Sequence, residues 1–450
     1  MLAHAREFAA HLDAVRAATE DALTRSDAAG QSFRGVVFHA GCTKDYHADD
    51  QEVPFRSVPH FKRWAPIPGP GHVLVYPRGG EPTLWVYRPV SFWEQPHPLP
   101  AHPCLSLLTV REVGEPDVLV RELGSLAGYA YVGNDEEFAE ALEVAEEGFE
   151  PQPLMSTLDW HRASKTPYEV GCLRAAGELA GRGHAAVRAG VAEGLSERAL
   201  HLRYLDAIGA LAHETPYPNI VCWDEASAVL HYTAKRREAP QPGRSFLIDA
   251  GAEVLGYASD ITRSYVLPGA PAGFRELAER MYALQEELVQ AVAPGMAFVD
   301  LHDRSYRGIG QILCDLGVLT VSPEEAYARD LTFAFYPHGL GHHLGLQVHD
   351  VGGLQTRPEE EQGERPARFP HLRTVRPVEA GQVITVEPGL YFIEPLLAQY
   401  RATQDPAFDW GRLDELAPCG GVRVEDDVHV TADGRDNLTR PFVVAAATPA

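Results

Sequence analysis

The chain is poor in the features that mark membrane, secreted and nucleic-acid-binding proteins. It contains no run of about 18 apolar residues, so we expect no membrane span. The six cysteines are scattered without short paired spacings, which argues against a disulfide framework and favours reduced thiols in the cytoplasm. Lys and Arg number 39 against 63 Asp and Glu, and the formal net charge of -24 disfavours nucleic acid and anionic membranes as partners.

Element patterns divide the chain into two predicted domains. Short apolar strands alternate with helices in the first part, which predicts a small α/β N-terminal domain over 1–158. Residues 151–159 are interpreted as its linker. The second domain, 159–450, is expected to begin with a long helix over 165–190 that has proline in its first turn. The segment 1–11 carries charges every few residues and lacks the apolar stretch of a signal peptide.

Two aspartates lie eleven residues apart in an apolar stretch that is typical of a β-hairpin. A pairing centred between Val254 and Leu255 places Asp249 directly opposite Asp260, with Cα atoms about 4.5–5.5 Å apart. Carboxylates this close repel each other unless a proton or a cation lies between them. The pair therefore predicts a metal site, and the alternative is an ordinary hairpin from which both side chains point to solvent.

The remaining candidate ligands occur downstream. Residues 338–349 hold four histidines among glycines, and imidazole is a common ligand for transition metals. Glu387 ends an apolar strand before Pro-Gly, and strand alternation places Glu425 on the same face as Arg423. Each glutamate alone is also consistent with an exposed edge residue.

Four carboxylates and one imidazole form the predicted ligand set. The carboxylates carry a charge of -4 that two divalent cations would neutralise, whereas one cation would leave a costly excess in a pocket. Oxygen-rich ligation with one imidazole suits Mn²⁺, Co²⁺ or Zn²⁺. The set is Asp249, Asp260, His342, Glu387 and Glu425.

These motifs resemble the prolidases (Xaa-Pro dipeptidases) of the creatinase-like, pita-bread metallopeptidase family. The matching motifs are Leu-Ile-Asp249-Ala-Gly, Ser-Asp260-Ile-Thr-Arg, His338-Gly-Leu-Gly-His342, Val-Glu387-Pro-Gly and Val-Arg-Val-Glu425-Asp. Segments 55–64 and 88–93 resemble the branch of bacterial prolidases and organophosphorus acid anhydrolases. The chain departs from the family at 222–227, where a Gly-Glu-Asn element is usual, and in the unusually charged segment 356–368.

The resemblance implies an α+β protein in which the α/β domain 1–158 mediates dimerisation and covers the pocket. Domain 159–450 is then the pita-bread catalytic domain, with a curved antiparallel sheet and helices outside it. The implied enzyme is a cytoplasmic homodimer that hydrolyses dipeptides with C-terminal proline, using two divalent ions, manganese preferred. A side activity on organophosphate triesters is also implied. The alternatives are an aminopeptidase P acting on longer peptides, a phosphotriester hydrolase and a metal-free binding module.

The resemblance also assigns roles to the ligands. Asp249 chelates one ion, Asp260 and Glu425 bridge both ions, and His342 and Glu387 hold the other. Glu387 is in addition the expected proton shuttle, which takes a proton from the attacking water and gives it to the leaving proline nitrogen.

A second group of residues is expected to contact the substrate. His231 and His349 bond its backbone and stabilise the oxyanion, and His338 forms the pocket wall or supports a ligand. Arg423 orients Glu425 or meets the substrate.

Arg373 is expected to bind the C-terminal carboxylate of a dipeptide, with a surface ion pair as the alternative. Tyr217 is either a subsite wall or a core residue. Asp49 and Trp93 are expected to reach into the pocket of the partner subunit in a dimer.

Overall fold

The computed structural model describes residues 2–90, 92, 95–240 and 242–444, and their elements group into two units. One unit comprises Met1–Glu169 together with Gln355–Gly363, and the other comprises Val170–Leu354 with Glu364–Ala450. The division between the two units falls after Glu169, and a short later segment belongs to the first unit.

The first unit is built on a five-stranded mixed sheet in the order β4-β3-β2-β1-β5. Its strands are β1 (Gly35–His39), β2 (Val73–Pro77), β3 (Thr83–Tyr87), β4 (Thr109–Val113) and β5 (Ala130–Val132). The β1–β2 and β2–β3 pairs are antiparallel, whereas β1–β5 and β3–β4 are parallel. The helices of this unit are α1 (Leu2–Ala28), α2 (Pro59–Trp64), α3 (Cys104–Leu107), α4 (Pro116–Leu123), α5 (Glu136–Ala141) and α6 (Gln152–Ala163).

The linker expected over 151–159 is wrong, because these residues form most of α6. Pro151 precedes the helix and Pro153 lies in its first turn, where a missing N–H costs nothing. The helix buries Leu154 and Leu158 and packs against α1. Proline here begins an element rather than interrupting one.

The second unit combines antiparallel strand pairs with long helices. The helices are α7 (Pro167–Ala192), which begins just before the unit boundary, α8 (Glu197–Ile208), α9 (Ala272–Ala291), α10 (Phe298–Asp315), α11 (Pro323–Ala328), α12 (Glu394–Thr403) and α13 (Trp410–Leu416). The strands are β6 (Ile220–Trp223), β7 (Ser245–Asp249), β8 (Glu253–Val254), β9 (Tyr257–Ala258), β10 (Thr262–Val266), β11 (Val383–Val386), β12 (Gly389–Tyr391), β13 (Gly421–Arg423), β14 (Asp426–Thr431) and β15 (Gly434–Asn437).

The strands of the second unit assemble as β10-β7-β6, β11-β14-β15, β12-β13 and β8-β9, each pair antiparallel. Helices α9 and α10 bury apolar residues such as Leu277 and Ile309 in the same core as Ile384 of β11 and Val428 of β14. The core thus fixes the ends of β11 and β14, from which polar side chains project. No helix in the described part of the chain is long and apolar enough to cross a membrane.

The hairpin that carries the two aspartates has a register different from the predicted one. Thr262, not Asp260, lies opposite Asp249, and Val254 pairs with Tyr257. The two-residue turn is therefore Leu255-Gly256, and both residues have positive φ, at 54° and 91°. Such turns match the twist of the flanking strands. The register differs by two residues, so both aspartates still lie on one face.

Candidate active site

A cavity of about 760 Å³ in the second unit is lined by all five predicted metal ligands. Asp249 ends β7, Glu387 directly follows β11, and Glu425 lies between β13 and β14. The loop carrying His342 is held against β11, because His342 N donates to Thr385 Oγ1 and Thr385 N donates to His342 O. These three carboxylates therefore lie at or next to strand ends, and backbone hydrogen bonds to β11 position the imidazole of His342.

Three of the ligands form a compact group. One ligand atom each from Asp260, His342 and Glu425 lies within 4.8 Å of the others. His342 Nε2 is 3.5 Å from Asp260 Oδ2 and 3.7 Å from Glu387 Oε1. Its Nδ1 lies 2.9 Å from the carbonyl of His343, which can only accept, so Nδ1 carries the proton and Nε2 faces the carboxylates.

Three of the carboxyl groups have raised pKa values. Burial raises the pKa of Glu387 to about 7, with Asp260 adding to the increase. Burial and the neighbouring carboxylates raise the pKa of Glu425 well above its usual range and also raise that of Asp249. Burial lowers the pKa of His342, but contacts with Asp260 and Glu387 raise it overall. The cavity therefore favours positive charge at its centre.

The ligand set fits divalent cations. Asp249 Oδ1 is buried and has no hydrogen-bond partner among the described residues. A buried acceptor without a partner costs free energy unless something else satisfies it. Together with the three other carboxyl groups around one imidazole, it forms a donor set that suits hard or borderline metal ions.

Arg423 holds Asp249 rather than Glu425 directly. Its Nη2 donates to Asp249 Oδ2 at 2.7 Å, its Nη1 to the Tyr391 hydroxyl at 2.8 Å and its Nε to Thr262 Oγ1 at 3.1 Å. Thr262 Oγ1 in turn donates to Glu425 Oε2 at 2.6 Å. Arg423 thus reaches Glu425 through Thr262, and in this way it can orient that carboxylate.

His338 belongs to the same hydrogen-bond chain. Its Nδ1 donates to the carbonyl of Gly339 at 2.8 Å, so its Nε2 accepts from the Tyr391 hydroxyl at 2.9 Å. Burial and Arg423 lower the pKa of His338 to about 3, and the ring is therefore neutral. His338 is both a wall of the cavity and the end of a chain that starts at Arg423.

A buried ion pair behind the cavity fixes the Glu425 segment. Arg263 Nη2 donates to Asp426 Oδ1 at 2.7 Å, and Arg263 Nη1 donates to the carbonyls of Glu425 and Thr262. Burial opposes ionisation of Asp426, yet Arg263 and Arg440 hold its pKa well below the usual range. The sequence analysis did not predict this pair, although an arginine in the middle of an apolar strand could have indicated a buried acidic partner.

The predicted substrate residues of the second unit line the same cavity. They are Tyr217, His231, His338, His349 and Arg373. The Tyr217 hydroxyl is buried without a hydrogen-bond partner among the described residues, and burial beside Asp249 and Asp260 raises its pKa well above the usual range. The ring of His349 stands 4.5 Å from that of His342, almost perpendicular to it. Burial, His342 and Arg373 lower the pKa of His349 to about 3.

The two residues predicted to reach the pocket of a partner subunit are Asp49 and Trp93. Asp49 is an exposed turn residue of the first unit, and Trp93 lies outside the described residues. Conversely, Arg365 and His371 line the cavity but were not predicted. Both lie in or beside the charged segment, whose path through the fold no local pattern indicates.

Comparisons with known proteins agree with this geometry. Residues 171–432 match the family described as Metallopeptidase family M24, and residues 6–160 match the Xaa-Pro dipeptidase, N-terminal domain. An Xaa-Pro dipeptidase of Pseudoalteromonas translucida is 40% identical over 94% of this chain and 96% of its own length. One from Stenotrophomonas maltophilia is 38% identical over 98% of each.

Solved structures with the same fold include two aminopeptidases P. Proline aminopeptidase P II from Yersinia pestis has a TM-score of 0.71 and 23% identity, covering 96% of this chain and 97% of its own. Zinc-substituted Escherichia coli aminopeptidase P in complex with product has a TM-score of 0.69 and 24% identity, covering 94% and 96%. The predicted α+β pita-bread fold is confirmed. The chain belongs to metallopeptidase family M24 and carries the N-terminal domain of the Xaa-Pro dipeptidases.

Proposed function

We propose that this protein is a metal-dependent Xaa-Pro dipeptidase, which hydrolyses the imide bond of dipeptides with C-terminal proline. The observation that carries the proposal is the convergence of Asp249, Asp260, His342, Glu387 and Glu425 on one cavity. Relatives named Xaa-Pro dipeptidase are similar to this chain over nearly its full length, and they support the choice of substrate.

The five ligands would hold two divalent ions, with manganese preferred and zinc or cobalt as alternatives. Two such charges balance the four carboxylates and satisfy the buried Asp249 Oδ1. When bound, the ions lower the pKa of a water molecule and polarise the scissile carbonyl.

The protein's own side chains then position the substrate and transfer a proton from the attacking water to the leaving nitrogen. Glu387 takes the proton of the attacking water and passes it to the proline nitrogen. His231 and His349 bond the substrate backbone beside the developing oxyanion. Tyr217 forms a wall of the subsite, and Arg423 keeps Asp249 in place.

Arg373 limits the length of the substrate. A guanidinium offers two parallel N–H groups that match a carboxylate, and a dipeptide presents its C-terminal carboxylate next to the proline ring. A peptide extended beyond proline would place a neutral amide there and a further residue against the arginine. This contact favours dipeptides over longer peptides.

The finer assignments concern assembly and location. We infer a cytoplasmic homodimer in which Asp49 and Trp93 extend towards the pocket of the partner subunit. The scattered cysteines support the cytoplasmic location. A low side activity on organophosphate triesters follows from the same activated water.

Aminopeptidase P activity is the second candidate, since solved structures of that name share the fold.

Cleavage of Gly-Pro, Ala-Pro, Ala-Pro-Ala and paraoxon should be measured on chelator-treated protein with and without Mn²⁺. We expect Mn²⁺-dependent cleavage of the dipeptides, little cleavage of Ala-Pro-Ala and weak turnover of paraoxon. Faster cleavage of the tripeptide would identify an aminopeptidase P, and faster paraoxon turnover a phosphotriester hydrolase. A metal content near zero after reconstitution would support a binding module.

A further inference from the structure

Three arginines line the cavity, and two of them, Arg365 and Arg373, lie in the same loop. Arg365 and Arg373 are both lining residues, and both lie in the stretch that leads back into β11. Arg365 Nε donates to the carbonyl of Leu372 at 3.0 Å. This bond ties the Arg365 side chain to the peptide unit that precedes Arg373.

Neither of these guanidinium groups has an acidic partner among the described residues. Other arginines nearby do, since Arg368 pairs with Asp330 at 2.6 Å and Arg376 pairs with Glu379 at 2.5 Å. Acidic side chains outnumber basic ones by 63 to 39, so unpaired arginines are not expected from composition. Two of them beside one cavity form a site for an anion.

The hydrogen-bonding edge of Arg365 remains available for a ligand. A guanidinium has five N–H donors, and the bond to Leu372 uses only the one on Nε. The four donors on the two Nη atoms can bind both oxygens of a carboxylate. The bond to Leu372 orients the guanidinium and leaves the four donors on the Nη atoms available for a ligand.

We propose that Arg365 is a second specificity-determining residue, which binds the C-terminal carboxylate of the substrate together with Arg373. The inference rests on the proposed dipeptidase function and deepens it. It assigns carboxylate recognition to a pair of arginines held in one loop. A substrate without this carboxylate gains nothing from Arg365.

The test uses Arg365→Ala, Arg365→Lys and Arg365→Gln, with Arg357→Ala as control. Arg357 is an exposed arginine of the same charged segment that does not line the cavity. Kinetics on Ala-Pro give KM and kcat separately. Calorimetric titration with L-proline and L-prolinamide reports carboxylate recognition without turnover.

Because exposed ion pairs contribute up to about 1 kcal/mol, we expect Arg365→Ala to raise KM about three- to fivefold with kcat nearly unchanged. It should weaken L-proline binding by a similar factor and leave L-prolinamide unaffected. Arg365→Lys should recover most of the affinity because it keeps the charge, whereas Arg365→Gln should not. Arg357→Ala should match the wild-type protein.

Three results would overturn the assignment. They are full recovery by the glutamine variant, equal losses for L-proline and L-prolinamide, or no difference between Arg365→Ala and Arg357→Ala. Failure of the wild-type protein to cleave Ala-Pro would instead refute the proposed function, which separates the two ideas.

Discussion

Replacing Thr262 by valine tests whether the groups behind the ligands set the affinity for metal. Valine has nearly the same shape, so the change removes one hydroxyl and creates little cavity. The hydroxyl donates to Glu425 Oε2 at 2.6 Å and accepts from Arg423 Nε at 3.1 Å. Hydrogen bonds to charged groups contribute about 1.5–3 kcal/mol, and tenfold in affinity corresponds to about 1.4 kcal/mol. We therefore expect Mn²⁺ to bind about 10- to 100-fold more weakly, as is usual when residues supporting ligands are lost.

Mn²⁺ affinity should be measured by competition with a chelator of known affinity. The matched control is Thr19→Val, since Thr19 is fully buried in α1 and donates only to the carbonyl of Val15. Both variants lose a buried hydroxyl, but only one loses a ligand contact. Equal Mn²⁺ affinities for the two variants would show that Thr262 does not control Glu425 and would refute the reasoning.

Three further predictions concern activity and stability. Glu387→Gln keeps the shape but removes a ligand charge and the proton shuttle, so Ala-Pro turnover should fall at least about 100-fold, and near-full activity would exclude the shuttle. Arg373→Ala should weaken Ala-Pro much more than the same dipeptide with an amidated C-terminus, whereas equal losses would remove the carboxylate contact. Burial lowers the pKa of His184 from 6.5 to about 4, so its stabilising effect is complete above pH 6.5 and is lost as pH falls towards 4. In urea unfolding of chelator-treated protein, this residue should lower the free energy of unfolding by about 2 kcal/mol between pH 7 and pH 5. The variant His184→Gln should show a smaller decrease over this range. An unchanged dependence of the unfolding free energy on pH would contradict the assignment.

Much of the site could be predicted because short local sequence patterns indicate its ligand residues. An aspartate at the end of an apolar strand or a histidine among glycines stands out in any register. The error in the hairpin did no harm, since a shift of two residues leaves Asp249 and Asp260 on one face. The predicted turn is centred one residue too early, because Leu255 takes a positive φ, which is uncommon for leucine.

The supporting contacts could not be predicted for a different reason. Thr262 meets Glu425 across 163 positions of sequence, and Arg423 meets Asp249 across 174. Such contacts depend on how separate strand pairs are placed by the shared core, and no local periodicity reports that placement. The helix α6 was missed because proline was taken as a sign of a linker, although it is well tolerated in a first helical turn.

The return of 355–363 to the first unit has a consequence for biosynthesis. Gln355 Nε2 donates to the carbonyl of Ser156, and Glu359 pairs with Arg25. These contacts join pieces separated by the 185 residues of 170–354. A nascent chain that has just released Glu169 from the ribosome therefore lacks the last part of its first unit. The carbonyl of Ser156 has no access to this partner until Gln355 has been synthesised. A fragment ending at Glu169 should accordingly be less stable than the same unit in the complete protein, and co-expressing a peptide spanning 355–363 would be a direct way to restore it.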